Sequence, residues 1–555
     1  MSARDRLGEC CHAIRTARGW RRGGIAFVAG AVANLAMAPF FIAPILFLSL
    51  PVLVWLIDDA VRKPGGARAV AMCAAGAGWW FGFGYFLFGL FWIGEAFLVE
   101  ADKFGWLLPF AVTLMPAGLA LFWAAASAVA ALLWRGGVLR LLVLALALAG
   151  AEWLRGHILT GFPWNVLGYA LTWPVVLMQS AGLLGIYGLT IIAVPIFAAP
   201  LVLAADAPAG ALRRRAGGLA LLITGVPLLL LSGYGAIRLA TAPDGVIDGV
   251  KIRIVQPSIP QREKWMPEKQ GAIFQEHLAL SKRDASGVAD DLAGITHVVW
   301  PEAAMPFLPL EHPEALEAIG ALLPDTTMLL TGALRRETDA ARAEAGDADL
   351  RPVRAYNSLM VFDGSGALHS VYDKTHLVPF GEYLPWQSTL EAIGLEQLTR
   401  LRGGFSEGIT PRPTLALPGL PPVGGLICYE AIFPGVGAAS RERPGVLINV
   451  TNDGWFGNTT GPRQHFHQAR VRAVEEGLTL VRAANNGISA VIDGNGRVVV
   501  MLGMNVKGST DSSVPVQRST PLYAVFGDSV FLLAALMIAV ILVFVSRTRD
   551  VDSYV

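Results

Sequence analysis

The sequence predicts a multi-pass α-helical membrane domain of eight spans carrying one layered α/β domain on its outer side. Three observations predict it. The 555-residue chain is 54% hydrophobic and 16% charged, with a mean hydropathy of +0.51, far from soluble composition. Its apolar residues gather in runs free of Asp, Glu, Lys and Arg, at 23–57, 69–94, 104–134, 156–205, 216–237 and 529–546. Between the last two runs the pattern changes to short β-rich segments alternating with helix-like ones.

A bilayer span needs about 20 apolar residues, so basic loops decide how the runs divide. Arg4 to Arg22, then Arg62, Lys63 and Arg68, then Arg135 and Arg140, then Arg213 to Arg215, then Arg547 and Arg549 form five basic groups, while 95–103 is acidic. The positive-inside rule places all five groups in the cytoplasm. Run 23–57 must then cross twice, turning near Pro39, and run 156–205 only once, near 178–204. A shorter apolar run, 141–151, continues through Glu152 and Arg155. The expected division is a cytoplasmic tail at 1–22, seven spans within 23–238, an exported domain at 239–525, an eighth span at 526–548 and a cytoplasmic tail at 549–555. No convincing cleavage site follows the first apolar run, so it reads as a span and not a cleavable signal.

The outer domain reads as buried strands alternating with helices, the pattern of a layered α/β or α+β structure. Strands are expected at 251–255, 297–300, 327–330, 358–362, 424–427, 446–450, 489–492 and 498–501, and helices near 267–283, 312–322, 431–442 and 462–476. Residues 337–352 are charged and lack β-branched residues, and read as a solvated loop.

Three residues in this domain carry chemistry. Glu302 follows the strand 297–300 across Pro301, which ends a sheet ladder and leaves the carboxylate at a strand tip. Lys374 lies in an unusually apolar segment, 371–385, where an ammonium would act as a fixed charge. Cys428 closes the strand 424–427 before an expected helix start, which favours the nucleophilic thiolate. The other cysteines, Cys10, Cys11 and Cys73, fall in the tail and a span, so Cys428 has no disulfide partner in the exported domain. Read singly, Glu302 and Lys374 also fit solvated surface residues, and Cys428 a small buried hydrophobe. Together a base, a cation and a thiol make an acyl-transfer site.

Trp300-Pro-Glu302, Tyr372-Asp-Lys374 and Ile427-Cys-Tyr-Glu430 occur in the order of the Glu-Lys-Cys set of the nitrilase (carbon–nitrogen hydrolase) superfamily, which the chain resembles. His376 to Pro385, Asn452 to Gly457, Asn485-Asn-Gly487 and Gly161-Phe-Pro-Trp164 resemble more narrowly the apolipoprotein N-acyltransferase family, over nearly the whole chain. The resemblance implies an α-β-β-α sandwich for the exported domain. It implies Glu302 as general base, Lys374 as oxyanion-stabilising cation and Cys428 as nucleophile. It implies Glu382 as support for Lys374, Tyr429 and Glu430 beside the nucleophile, and Trp265 near the substrate entrance. For the last three, packing, a helix-start carboxylate and interfacial anchoring are equal alternatives. The implied reaction moves a fatty acyl group from a membrane phospholipid, through a Cys428 thioester, to the α-amino group of a diacylglyceryl-modified apolipoprotein.

The implied location is a bacterial inner membrane, with the catalytic domain periplasmic and both termini cytoplasmic. The stretch 376–410, with Phe380, Trp386 and Leu390, could form a lid. The rivals are a membrane-anchored amidase or nitrilase that passes the acyl group to water, and a silent lipid-binding scaffold. The net charge of +1 argues against nucleic acid as a partner. No cofactor or metal is expected. His465 and His467, two apart, suit hydrogen bonding better than metal ligation.

Overall fold

The computed structural model describes residues 3–207, 211–337, 354–392, 404–435, 437 and 439–551. Most of the charged segment 337–352 and the 393–403 part of the expected lid lie outside these residues. The chain divides into two compact units, one of residues 1–94, 106–241 and 525–555, the other of residues 95–105 and 242–524.

The first unit is helical. Its longer helices are Gly19–Ala33, Leu46–Arg62, Ala67–Leu90, Leu108–Leu132, Leu139–His157, Ala181–Asp206, Ala211–Ala240 and Ser529–Val551. Five segments, Ala43–Arg62, Ala67–Leu98, Ala101–Leu132, Ala181–Asp206 and Arg214–Ala240, are long and apolar enough to cross a bilayer, and Ser529–Phe544 is a shorter apolar helix. Run 23–57 breaks between two helices over residues 34–45, which include Pro39. Run 156–205 holds one long helix, preceded by 3₁₀ turns and a four-residue helix, Val175–Met178. Small residues let backbones touch in the absence of a hydrophobic drive between helices. A Cβ on Gly84 would lie 2.1 Å from the Phe27 carbonyl oxygen, and one on Gly30 1.8 Å from that of Phe81.

Polar side chains gather at the helix ends that the sequence assigns to one side. Asp58 accepts from Arg15 at 2.8 Å, from Trp134 at 2.9 Å and from Arg140 at 2.9 Å. Arg140 also reaches Asp206.

The second unit is built on two six-stranded sheets. The strands are β1 (Val246–Gln256), β2 (His297–Trp300), β3 (Met328–Glu337), β4 (Arg354–Phe362), β5 (Leu368–Asp373) and β6 (Thr414–Leu415). They continue as β7 (Val423–Ile427), β8 (Val446–Thr451), β9 (Thr479–Ala484), β10 (Ser489–Ile492), β11 (Val498–Leu502) and β12 (Gly508–Pro515). One sheet runs β12-β1-β2-β3-β4-β5 and the other β11-β10-β9-β8-β7-β6. Both centres are parallel, β1-β2-β3 and β7-β8-β9, so helices cover their outer faces.

The burial pattern follows. Ile252, Ile254, Val299, Leu330 and Leu359 of one sheet pack against Val423, Ile427, Ile448, Val450 and Val481 of the other. Behind the first sheet lie the helices Gln270–Ser281 and Pro313–Leu322, through Phe274 and Ile319. Behind the second lies Gly461–Glu476, through Ala469 and Ala473. The result is an α-β-β-α sandwich, with eight expected strands in place. The strands β5, β6, β9 and β12 were not expected: β12 is rich in Ser, and β9 carries Arg482 in a fully buried position. The helix expected at 431–442 is not formed among the described residues. Cys428–Ile432 is a five-residue 3₁₀ turn instead.

Gly332 of β3 fixes the strand tip after β2. Its N–H donates to the Pro301 carbonyl at 3.1 Å, and its carbonyl accepts from Ala304 at 2.9 Å. A Cβ there would lie 2.4 Å from the Glu302 Cα and 2.8 Å from the Ala303 nitrogen. Backbone cannot yield as a side chain does, so Gly332→Ala should cost about 1–3 kcal/mol and displace Glu302. Thermal unfolding together with turnover measures both, and an alanine variant of normal stability and activity would contradict this packing.

Candidate active site

The nucleophile candidate sits where β7 ends. Cys428 is 7% exposed and has φ +49, a left-handed conformation costly for a side chain with a Cβ. Glu302, two residues beyond β2, precedes another left-handed residue, Ala303, with φ +46. Lys374 directly follows β5 and is buried. Two sheets therefore deliver the three groups: β2 and β5 belong to one, β7 to the other.

The carboxylates and the ammonium form one hydrogen-bonded cage. Lys374 Nζ donates to Glu382 at 2.9 Å and lies 3.8 Å from Glu302 Oε1. Asn357 Nδ2, from β4, donates to Glu302 Oε1 at 2.8 Å and to Glu382 Oε1 at 2.9 Å. The Asn452 N–H holds Glu302 Oε2 at 2.9 Å, and the Val378 N–H holds Glu382 Oε2 at 2.8 Å. Burial would strip the proton from Lys374, but Glu382 and Glu302 overcome it and push its pKa up. Burial pushes Glu302 up, against the pull of Lys374. The Cys428 thiol is raised by burial and then by Glu302, with Lys374 opposing. Burial outweighs the thiolate support expected from a helix start, and only a five-residue 3₁₀ turn begins there. The arrangement suits proton transfer from thiol to Glu302 as the sulfur attacks.

Glu430 is a first-turn carboxylate of the 3₁₀ segment, as one expectation had it, and also a clamp on a second segment. It accepts from the N–H groups of Ile427 at 2.8 Å, Thr375 at 2.9 Å and His376 at 3.1 Å, and from the Tyr372 hydroxyl at 2.9 Å. It thereby ties the start of the nucleophile turn to the backbone just past Lys374. Burial would raise its pKa, but Arg412 and these donors hold it low. Tyr429 packs its ring on Phe433, centroids 5.1 Å apart, and near His376 at 5.8 Å. Trp265 is 43% exposed on the loop after β1, next to Lys264.

Sequence reasoning missed Asn357, Asn452 and Lys264. A polar Asn in the buried strand β4 was the available signal for the first. Lys264 is 2% exposed, and its Nζ donates to the Glu302 carbonyl at 2.9 Å. The same loop is tied down by Gln261, which accepts from Asn452 at 2.7 Å. Cys428 Sγ, an Asp453 carboxylate oxygen and a His465 ring nitrogen all lie within 4.8 Å of one another. Metal ligation is not the best use of that trio, because Arg482 donates to the same Asp453 at 2.8 Å.

Residues 29–199 match the apolipoprotein N-acyltransferase N-terminal domain, and residues 251–521 match carbon-nitrogen hydrolase. An apolipoprotein N-acyltransferase of Rhodopseudomonas palustris is 48% identical, with 98% of both chains covered. One from Bradyrhizobium diazoefficiens is 47% identical over 99% of both, and one from Brucella melitensis 45% over 90% of this chain and 91% of its own. This chain belongs to the apolipoprotein N-acyltransferase family. It is thus an acyltransferase with a nitrilase-like domain. Membership in the apolipoprotein N-acyltransferase family also accounts for an apolar helical unit on a chain that carries hydrolase-type strands.

Lys264 yields a prediction with a definite sign. Burial lowers its pKa to about 8, against weaker support from Glu302 and Cys428. The folded value lies below the unfolded one, so the unfolded chain keeps the proton to higher pH. The cost, roughly 3 kcal/mol, is full below about pH 8 and fades as pH rises toward the ordinary lysine range. Lys264→Met should therefore unfold at higher temperature at pH 7 and lose the rise in stability between pH 8 and 10, while turnover falls. Unfolding midpoints across that range check it. A destabilised variant at pH 7 would show that the hydrogen bond to Glu302 outweighs the buried charge.

Proposed function

We propose that this chain moves a fatty acyl group from a membrane phospholipid to the α-amino group of the diacylglyceryl-cysteine at an apolipoprotein N-terminus, by way of a Cys428 thioester. The observation that carries the reading is the dry cage of Glu302, Asn357, Glu382 and Lys374 beside a thiol in a left-handed turn. In the first half-reaction Glu302 accepts the thiol proton and Sγ bonds the ester carbonyl carbon. Lys374 stabilises the oxyanion, the ester C–O bond breaks, and Glu302 returns the proton to the departing lysophospholipid oxygen. In the second, the α-amine attacks the thioester and Glu302 takes its proton. The C–N bond forms, the C–S bond breaks, and the thiolate recovers its proton from Glu302. Burial keeps water from the thioester. Tyr429, Glu430 and Glu382 support this set, and Trp265 meets substrate from its half-exposed loop.

We read the helical unit as eight spans in a bacterial inner membrane, with both termini cytoplasmic and residues 239–525 periplasmic. Besides the five long apolar helices, Gly19–Ala33, Leu139–His157 and Ser529–Val551 supply the remaining three. The shared contacts of Arg15, Asp58, Arg140 and Asp206 support one side for the tail and two basic loops. A membrane-impermeant maleimide should leave exposed Cys10 unlabelled in intact spheroplasts and label it after permeabilisation. Labelling before permeabilisation would overturn this topology.

The reaction is tested without an acceptor. Phospholipid alone should add one fatty-acyl mass to Cys428, released by neutral hydroxylamine, with lysophospholipid formed in step. A diacylglyceryl-cysteine peptide with a free α-amine should then discharge it as an amide, and an N-acetylated peptide should not. Rapid discharge to water with no amide would favour the amidase reading, and no adduct at all the silent scaffold. Glu302→Gln should slow acylation about 10²–10⁴-fold and Lys374→Met about 10²–10³-fold. Near-normal acylation in either variant would refute its assigned role.

A further inference from the structure

The strained carbonyl of Cys428 is held by a buried side-chain network outside the Glu-Lys-Cys set. His465, on the helix Gly461–Glu476, places Nε2 3.0 Å from the Cys428 carbonyl oxygen and Nδ1 2.8 Å from Asp453 Oδ1. His465 is fully buried and Asp453 is 1% exposed. Asp453 is held in turn by Arg482 at 2.8 Å and by the Thr451 hydroxyl at 3.1 Å. Arg482 also donates to Asn449, whose amide donates to the Leu426 carbonyl at 3.0 Å, in the strand that leads to Cys428.

The chemistry of the two oxygens decides the state of the ring. A main-chain carbonyl can only accept, so Nε2 donates. Asp453 is a carboxylate, its pKa brought down to about 2 because Arg482 and His465 overcome its burial, so Nδ1 donates as well. Against the two nearer acceptors the ring carries two protons, although the Arg482 Nη2 donor also lies 3.2 Å from Nδ1. Burial, and then Arg482, push the ring's pKa down, against Asp453 and the Cys428 carbonyl, so the charge rests on the two acceptor contacts alone. At 2.8 Å, an unprotonated Nδ1 would set a lone pair against the Asp453 carboxylate oxygen. The thiol also feels Glu302 and Asp453, which raise its pKa, and Lys374, which lowers it, and its charge is coupled to that of Lys264.

We propose that His465 is a positioning residue held as an imidazolium by Asp453, which clamps the left-handed turn at Cys428 and places a second positive charge within 4.8 Å of the sulfur. It exchanges no proton in the cycle. Lys374 faces the developing oxyanion, while His465 works from behind the nucleophile, through its main chain and its field. The proposal rests on Cys428 being the nucleophile, but its test reads the thiol and the ring directly, so it can fail while the acyltransferase reading stands.

The test uses the full chain in detergent with Cys10, Cys11 and Cys73 replaced by Ser. The rate of Cys428 alkylation by iodoacetamide is followed against pH. His465→Gln keeps an amide donor for the Cys428 carbonyl but no charge. It should stay folded, move the alkylation profile to higher pH, and react about tenfold more slowly at pH 7. An unchanged profile in folded His465→Gln would overturn the electrostatic role. In the unsubstituted protein, ¹⁵N spectra of the His465 ring should show two protonated nitrogens from pH 6 to 8. One protonated nitrogen over that range would overturn the proposal whether or not the variant folds.

Discussion

The second unit is organised around one ammonium ion in a dry place. Lys374 has two carboxylates within reach, Glu382 at 2.9 Å and Glu302 at 3.8 Å, and very little water. An unpaired buried charge would be prohibitive. The pairing, with Asn357 bridging both carboxylates, makes it tolerable and fixes each oxygen in space. The low dielectric that makes isolation costly also strengthens the field of the fixed charge on its neighbours. Much of the nearby polar structure, from the Val378 and Asn452 amides to the Glu430 clamp, keeps these oxygens and the adjoining turns from relaxing.

Both Cys428 and Glu302 leave the sheets through backbone that L-residues seldom adopt, at Cys428 itself and at Ala303 beside Glu302. Such turns persist only where their surroundings over-determine them. In each case the carbonyl of the reactive residue accepts from a buried nitrogen of another segment, Lys264 for Glu302 and His465 for Cys428. The two halves of the site are built to one plan. A strand end, a strained turn and a buried donor together aim a side chain into the space between the sheets.

Much of this was legible in the sequence, and the misses share a cause. Pro301 announced the end of β2, and the apolar setting of Lys374 foreshadowed its burial. Eight strands could be read because Val, Ile and Leu dominate them. The strand β9 was hidden by Arg482, whose charge is matched by Asp453 and so reads as a surface residue only in one dimension. The strand β12 was hidden by its serines. The helix after Cys428 was expected from composition, but the chain instead turns tightly to return the Glu430 carboxylate to Ile427 and Thr375. Asn357, Lys264 and His465 were not legible as site residues because each acts through a partner distant in sequence, 55, 38 and 37 residues away.

The division of the site between two sheets makes its chemistry indivisible. One sheet carries Glu302, Lys374 and the bridging Asn357; Cys428 follows a strand of the other, with the His465 ring behind it. Neither sheet by itself is a weaker version of the enzyme. A nascent chain with one sheet formed carries a cluster of acids around a lysine, or a lone thiol without a base. The meeting of the inner apolar faces is what brings these groups together, and separately made halves would have to rebuild that seam first.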